Sequence, residues 1–163
     1  MRKSIVFSGG SFHALQAYFD EIRWVVSTEA GYANGTSSHP SFASVQSGEG
    51  GFIQAVNVEY EDNFISLEGL IDLYLRAVDP YSLDRQGEYR GRQYRCGIYY
   101  QDILDGIAIT RKIDQTLMPY HHVDVRRLDN FFPAEEIHQH YKRKHPFWRC
   151  PIDFSVLKRE ERK

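Results

Sequence analysis

Residues 4–22, SIVFSGGSFHALQAYFDEI, pass from the hydrophobic pattern of a strand to that of a helix across one Gly-Gly turn, and this change constrains the chain most. Ile5, Val6 and Phe7 read as a buried strand. Phe12, Leu15, Phe19 and Ile22 then fall on one helical face, with Ser11 at the N-cap. A side chain there meets backbone N–H groups without helical partners and the positive end of the helix dipole. An anion is stabilised at such a place. A thiol would have its pKa lowered, whereas a hydroxyl gains little beyond a capping bond. Ser11 therefore reads either as an ordinary cap or as a serine in a niche suited to cysteine.

RWVVSTEAGY predicts a second strand, and FIQAVNVEYE alternates, placing Gln54, Val56, Val58 and Tyr60 on one side. Between them ANGTSSHPSFASVQSGEGG is expected to be a long ordered loop or lid. ISLEGLIDLYLRAV is the strongest helix, with Leu67, Leu70, Ile71, Tyr74 and Leu75 in one stripe. Pro80 and two glycines break the pattern in DPYSLDRQGEYRGRQYR, and CGIYYQ is a further strand. Two β-α-β units without an internal repeat predict an α+β fold: a ferredoxin-like split β-α-β core of mixed or antiparallel sheet, helices packed on it, and long ordered loops. Past Asp102 the pattern weakens. VDVRRL is expected as a strand, FPAEEIHQHYKRKH as a helix opening near Pro133, and REERK as a solvated tail. One domain over residues 1–163 is expected.

Lys plus Arg number 20 and Asp plus Glu 22, so no long-range field draws nucleic acid or an acidic membrane. The opening MRKSIVFSGG has too short an apolar run for a signal peptide, and no stretch approaches a membrane span; a cytoplasmic monomer is expected. Cys96 and Cys150 are too few for a disulfide framework, so each is a buried small hydrophobe or a redox thiol, with the first reading favoured for Cys96. His138 and His140 lie two apart on the expected helix and diverge, so no metal site is expected there or at His121, His122 and His145. The Arg-Tyr run RQGEYRGRQYR would suit RNA only on a more basic chain.

GGSFH near the N-terminus, AGYANG at 30–35, SFASVQSGEGGFIQAV at 41–56, DPYSLDRQGEYRGRQYR at 79–95 and FFPAEEIHQHY at 131–141 occur in an order and spacing that resembles methionine sulfoxide reductase A, from about Ser4 to Asp153. The resemblance puts Ser11 at the catalytic cysteine of a Gly-Cys-Phe-Trp motif, Phe12 at the aromatic wall holding the substrate methyl, and His13 at the Trp position. Tyr32 and Tyr94 match the two phenols that bind the sulfoxide oxygen, and Gln54 falls where the family has its proton-donating glutamate. In the family's Gln-Gly-Asn-Asp segment, Glu88 and Tyr89 replace the Asn and Asp. Cys150 resembles the recycling cysteine, and Cys96 stands where serine is usual.

The implied reaction is thiol-dependent reduction of methionine S-sulfoxide, free or in peptides, with thioredoxin or another thiol as reductant and no bound cofactor or metal. An alcohol has no sulfenic state, so Ser11 cannot perform it. Either a cysteine has been replaced, which Cys150 favours, or the chain is a non-catalytic binder of oxidised methionine. A glutamine amide donates a hydrogen bond but releases no proton, so Glu88 is a candidate substitute acid. His13 is either a smaller pocket wall or, protonated, a cation beside the nucleophile.

Overall fold

A computed structural model describes residues 1–163. Strand β1 (Arg2–Ser8) leads through Gly9-Gly10 into α1 (Phe12–Asp20), and β2 (Val25–Ala33) follows. After α2 (Phe42–Gln46) come β3 (Ile53–Glu61) and α3 (Leu67–Ala77), then the two-residue strands β4 (Arg85–Gln86) and β5 (Tyr89–Arg90). The chain continues through β6 (Gly97–Tyr100), α4 (Ile103–Thr116), β7 (Asp124–Arg127), β8 (Phe131–Pro133) and α5 (Tyr141–Lys144). The six-stranded sheet runs β7-β6-β1-β3-β2-β8, and β4 with β5 forms a separate ribbon. Each neighbouring pair among the inner strands β6-β1-β3-β2 is antiparallel, with helices α1 and α3 in the crossovers, which is the expected split β-α-β arrangement; β7 joins β6 in parallel and makes the sheet mixed. No helix is long and apolar enough to cross a membrane.

Register places the site. Phe7 lies opposite Val56, and Tyr32 lies directly opposite Gln54, so β2 and β3 present Tyr32 and Gln54 side by side near the end of β1 that leads into α1. Beneath the helices Phe7 stacks on Phe19 at 4.8 Å and on Tyr74 at 4.7 Å, within a core that includes Phe12, Leu15, Val56 and Leu70. Val6, Ala33, Ile53, Ala55 and Tyr99 form a second, smaller core on the alternate side chains of the same strands.

Three expectations need correction, and one helix is not predicted from the sequence. The long segment after β2 contains α2, started by a reciprocal Ser41–Ser44 capping box. Helix α4 buries only Gly106, Ile109 and Ile113 while Ile103, Leu104 and Ile107 stay exposed, so its apolar residues mark no single face and the sequence hides it. FPAEEIHQHYKRKH is not one helix: β8 pairs with β2, a 3-10 turn covers Glu136–His138, and His140 takes a left-handed φ of 49° before α5. The tail REERK keeps Arg159, Glu160 and Lys163 exposed but is docked at Glu161, whose carboxylate meets Arg76 at 2.7 Å and whose carbonyl accepts from Arg23 N–H at 2.8 Å.

What overrides helix in residues 131–145 is tertiary bonding by Gln139. Its Oε1 accepts from Ala30 N at 2.9 Å and from Gln16 Nε2 at 3.3 Å; its Nε2 donates to the carbonyls of Ala30 at 2.8 Å and Ala134 at 3.0 Å. Gln139→Leu strands these buried groups and should lower unfolding free energy by about 2–3 kcal/mol in urea titration. A change within about 0.5 kcal/mol would show that Gln139 does not hold this segment to β2.

Candidate active site at the head of the first helix

Gly9 and Gly10 make the sharp passage from β1 into α1. Gly10 has φ 71°, and a Cβ there would stand 2.9 Å from Cβ of Gln86; its N–H donates to the Tyr94 carbonyl at 3.0 Å. Ser11, extended at φ -67° and ψ 130°, caps the helix: its Oγ accepts from His13 N at 3.1 Å. Phe12 N donates to Oε1 of Gln54 at 3.1 Å, so a side chain from β3 supplies the second cap. Gln54 Nε2 donates to Gln93 Oε1 at 3.3 Å, and Gln93 Nε2 to the Gln46 carbonyl at 3.4 Å, tying α2 to the same point. Ser11 is only 4% exposed.

A cavity of about 560 Å³ opens beside this turn, with Gly10 and Ser11 on one wall, Glu88 and Tyr89 on another, and Arg149 and Cys150 on a third. Burial raises the pKa of the Cys150 thiol, against smaller opposing effects of the Ile152 backbone bond and Lys142. Glu88 is exposed and is the one carboxylate of the lining. Cys96 lies apart from the cavity: burial pushes its thiol up to about 12, and Sγ points to the His122 carbonyl at 3.5 Å, as a small hydrophobe would. A more open groove of about 510 Å³ along α4 is lined by residues such as Ile103, Thr110 and Arg111 and holds no cysteine or histidine.

Next to the helix head lies an aromatic layer. The Phe12 ring is 5.6 Å from Tyr32, 5.0 Å from His13 and 6.1 Å from Phe42 of α2, and Phe42 stacks on His138 at 4.2 Å. The Tyr32 hydroxyl, expected on a sulfoxide oxygen, donates instead to Oε1 of Glu135 at 2.6 Å; Oε2 of the same carboxylate accepts from Phe42 N at 3.0 Å. Burial raises the phenol, and Glu135 adds to it. Burial alone would raise Glu135, but the bonds from Tyr32 and Phe42 outweigh it and hold the carboxyl below its usual range. Tyr94 approaches the helix head through its carbonyl, with its ring 5.3 Å from Tyr89 and its phenol raised by burial.

The expected residues thus fall into two sets around one helix terminus. Ser11, Glu88, Tyr89 and Cys150 share the cavity; Phe12, His13 and Tyr32 belong to the buried aromatic layer; Gln54 and Tyr94 bond to the backbone between them. Sequence reasoning missed Glu135 and His138. Both lie in FFPAEEIHQHY, where an expected helix gave no hint that they turn toward Tyr32 and His13. His140 points elsewhere, with Nδ1 2.8 Å from Asp20 Oδ2.

His13 Nε2 lies 2.9 Å from His138 Nδ1, and the ring packs at 4.4 Å from Tyr141. Burial first, then the His138 and His145 charges, lower the His13 pKa to about 4. The imidazole is neutral near pH 7, as a wall and not a cation. The folded chain therefore binds this proton less readily than the unfolded chain. Stability contributed by neutral His13 is full above the ordinary histidine value of 6.5 and is lost as pH falls toward about 4. An NMR titration should find the His13 midpoint near 4, and His13→Phe should flatten stability between about pH 4 and 6.5. A midpoint at or above 6.5 would contradict the buried setting.

A family model described as peptide methionine sulfoxide reductase matches residues 3–163. The protein is 41% identical over 156 residues to peptide methionine sulfoxide reductase MsrA of Mycoplasma pneumoniae, covering 94% of this chain and 99% of that one. It is also similar to the crystal structure of reduced Mxr1 from Saccharomyces cerevisiae, with 28% identity, a TM-score of 0.83, and coverage of 92% of this chain and 90% of that one. Mxr1 in complex with Trx2 shares the fold at a TM-score of 0.59 and 22% identity over 86% of this chain and 84% of that one. The chain belongs to the peptide methionine sulfoxide reductase family.

Proposed function

We propose that this site is built for thiol-dependent reduction of methionine S-sulfoxide, and that Ser11 leaves the chain able to bind the sulfoxide but not to turn it over. The observation that carries this reading is that Ser11 caps α1 and opens on the same cavity as Cys150. With cysteine at position 11, its thiolate attacks the sulfoxide sulfur to form an S–S bond while the oxygen takes a proton; the S–O bond and that S–S bond then break as the OH passes to the enzyme sulfur and an electron pair returns to the methionine sulfur, giving methionine and a sulfenic acid. The Cys150 thiol then forms the S–S bond, and water departs. Two thiols of a thioredoxin-type reductant reduce that disulfide by exchange. The solved complex of Mxr1 with Trx2 supports a partner of this kind. Gln54 has no proton to release, so Glu88 on the cavity wall is the proposed acid.

A second reading, a binding module for oxidised methionine, draws support from Gln54 and Tyr32. The Gln54 carbonyl is committed to Phe12 N, and the single Tyr32 proton to Glu135.

Ser11→Cys separates the two readings. Consumption of methionine S-sulfoxide with dithiothreitol is the expected result; saturable binding without consumption would leave only the binding module. In the restored chain, Cys150→Ser should permit one turnover and stop thioredoxin-linked cycling, and undiminished cycling would exclude its resolving role. Glu88→Gln should slow the restored chain by about 100-fold; an unchanged rate would remove Glu88 as the acid.

A further inference from the structure

Positive charge on this acidic chain is concentrated in two segments that border the cavity. Residues 85–95, of which 86–89 line it, and 142–149, of which Arg149 lines it, hold eight of the 20 basic residues and one of the 22 acidic ones. Some of these charges are spent within the molecule. Arg95 meets Asp124 at 3.6 Å, Arg143 meets Asp20 at 3.7 Å, Lys144 meets Glu136 at 3.3 Å, and Lys142 donates to the carbonyls of Pro146 and Trp148. Arg85, Arg90, Arg92 and Arg149 are exposed, and none is ion-paired with a carboxylate.

The ribbon adds an independent sign. Gly87, at φ 59°, turns β4 back on β5, and the register sets Arg85 directly opposite Arg90. Like charges facing each other across a ladder are destabilising, and here the ladder is only two residue pairs long. Gln86 and Tyr89 line the cavity, so alternation puts Arg85 and Arg90 on the other, outward face of the ribbon, while Arg149 belongs to the lining itself. A methionine sulfoxide side chain reaching Ser11 leaves its backbone at the opening, and neighbouring residues, at about 3.3 Å per residue, extend over these walls.

Resting on the proposed function, we infer that the cavity and its ribbon wall select methionine sulfoxide in acidic peptide segments, with Arg149 pairing with a carboxylate next to the oxidised residue and Arg85 and Arg90, on the outer face of the ribbon, with carboxylates farther along the peptide.

The chain as it stands, with Ser11, permits a pure binding test by calorimetry. The probes are pentapeptides with a central methionine S-sulfoxide flanked by Asp, Ser or Lys, and their unoxidised counterparts. At about 20 mM salt the Asp-flanked sulfoxide peptide should bind about tenfold tighter than the Ser-flanked one and the Lys-flanked one weakest, the order collapsing at about 500 mM. Arg90→Glu replaces the like-charged pair with an ion pair, so the ribbon should fold at least as well while the Asp preference shrinks; Arg149→Gln should shrink it independently. Equal affinity for Asp- and Ser-flanked sulfoxides at low salt, or a preference unmoved by both substitutions, overturns this inference alone. Failure of any sulfoxide peptide to bind better than its unoxidised counterpart overturns the proposed function, and this inference with it.

Discussion

The first turn of α1 has backbone N–H groups that its own helix cannot satisfy, and the surrounding structure converges to supply acceptors. Ser11 Oγ takes His13 N, and Gln54, reaching from β3, takes Phe12 N. The glycine turn that precedes them is pinned by the Tyr94 carbonyl. These bonds bring the end of β1, the middle of the sheet and residues 91–95 to one point, and the cavity is the space left beside it. The same need explains a glutamine at position 54. A carboxylate could accept from Phe12, but only the amide can also donate to Gln93 and so extend the tie to α2.

A five-residue helix has no stability of its own in water. Helix α2 is held by its serine capping box, by Gln93, and by Glu135, whose two oxygens join Phe42 N to the Tyr32 hydroxyl. Because Tyr32 has a single proton and Glu135 holds it, a ligand oxygen that is to receive that proton must displace the carboxylate. The aromatic layer over Phe12 and the cavity at Ser11 therefore differ in kind: one is packed and locked by a charge-assisted bond, the other is an open space lined by Glu88 and Arg149.

Much of the frame was legible because its signals are local. The period change after Gly10, the alternation through Gln54–Tyr60 and the Leu70–Tyr74 stripe each predict an element without knowledge of its neighbours, and their order predicts the split β-α-β sheet. The Ser11 cap also agrees with the structure. What escaped depends on distant partners. Residues 131–145 carry a helical pattern that Gln139 and β8 override, α4 has no clean apolar face, and Glu161 is drawn out of solvent by Arg76. The Glu135–Tyr32 and His13–His138 contacts escaped for the same reason, since both join residues more than 100 positions apart.

The pH dependence of alkylation at position 11 tests most directly whether the head of α1 favours an anionic sulfur. In a Ser11→Cys chain with Cys150→Ser, and with Cys96 held protonated by burial, one thiol remains to react with iodoacetamide. A midpoint clearly below about 8.5, the ordinary cysteine value, is expected. A midpoint at or above it would mean that burial outweighs the helix terminus and would contradict a site built for a thiolate.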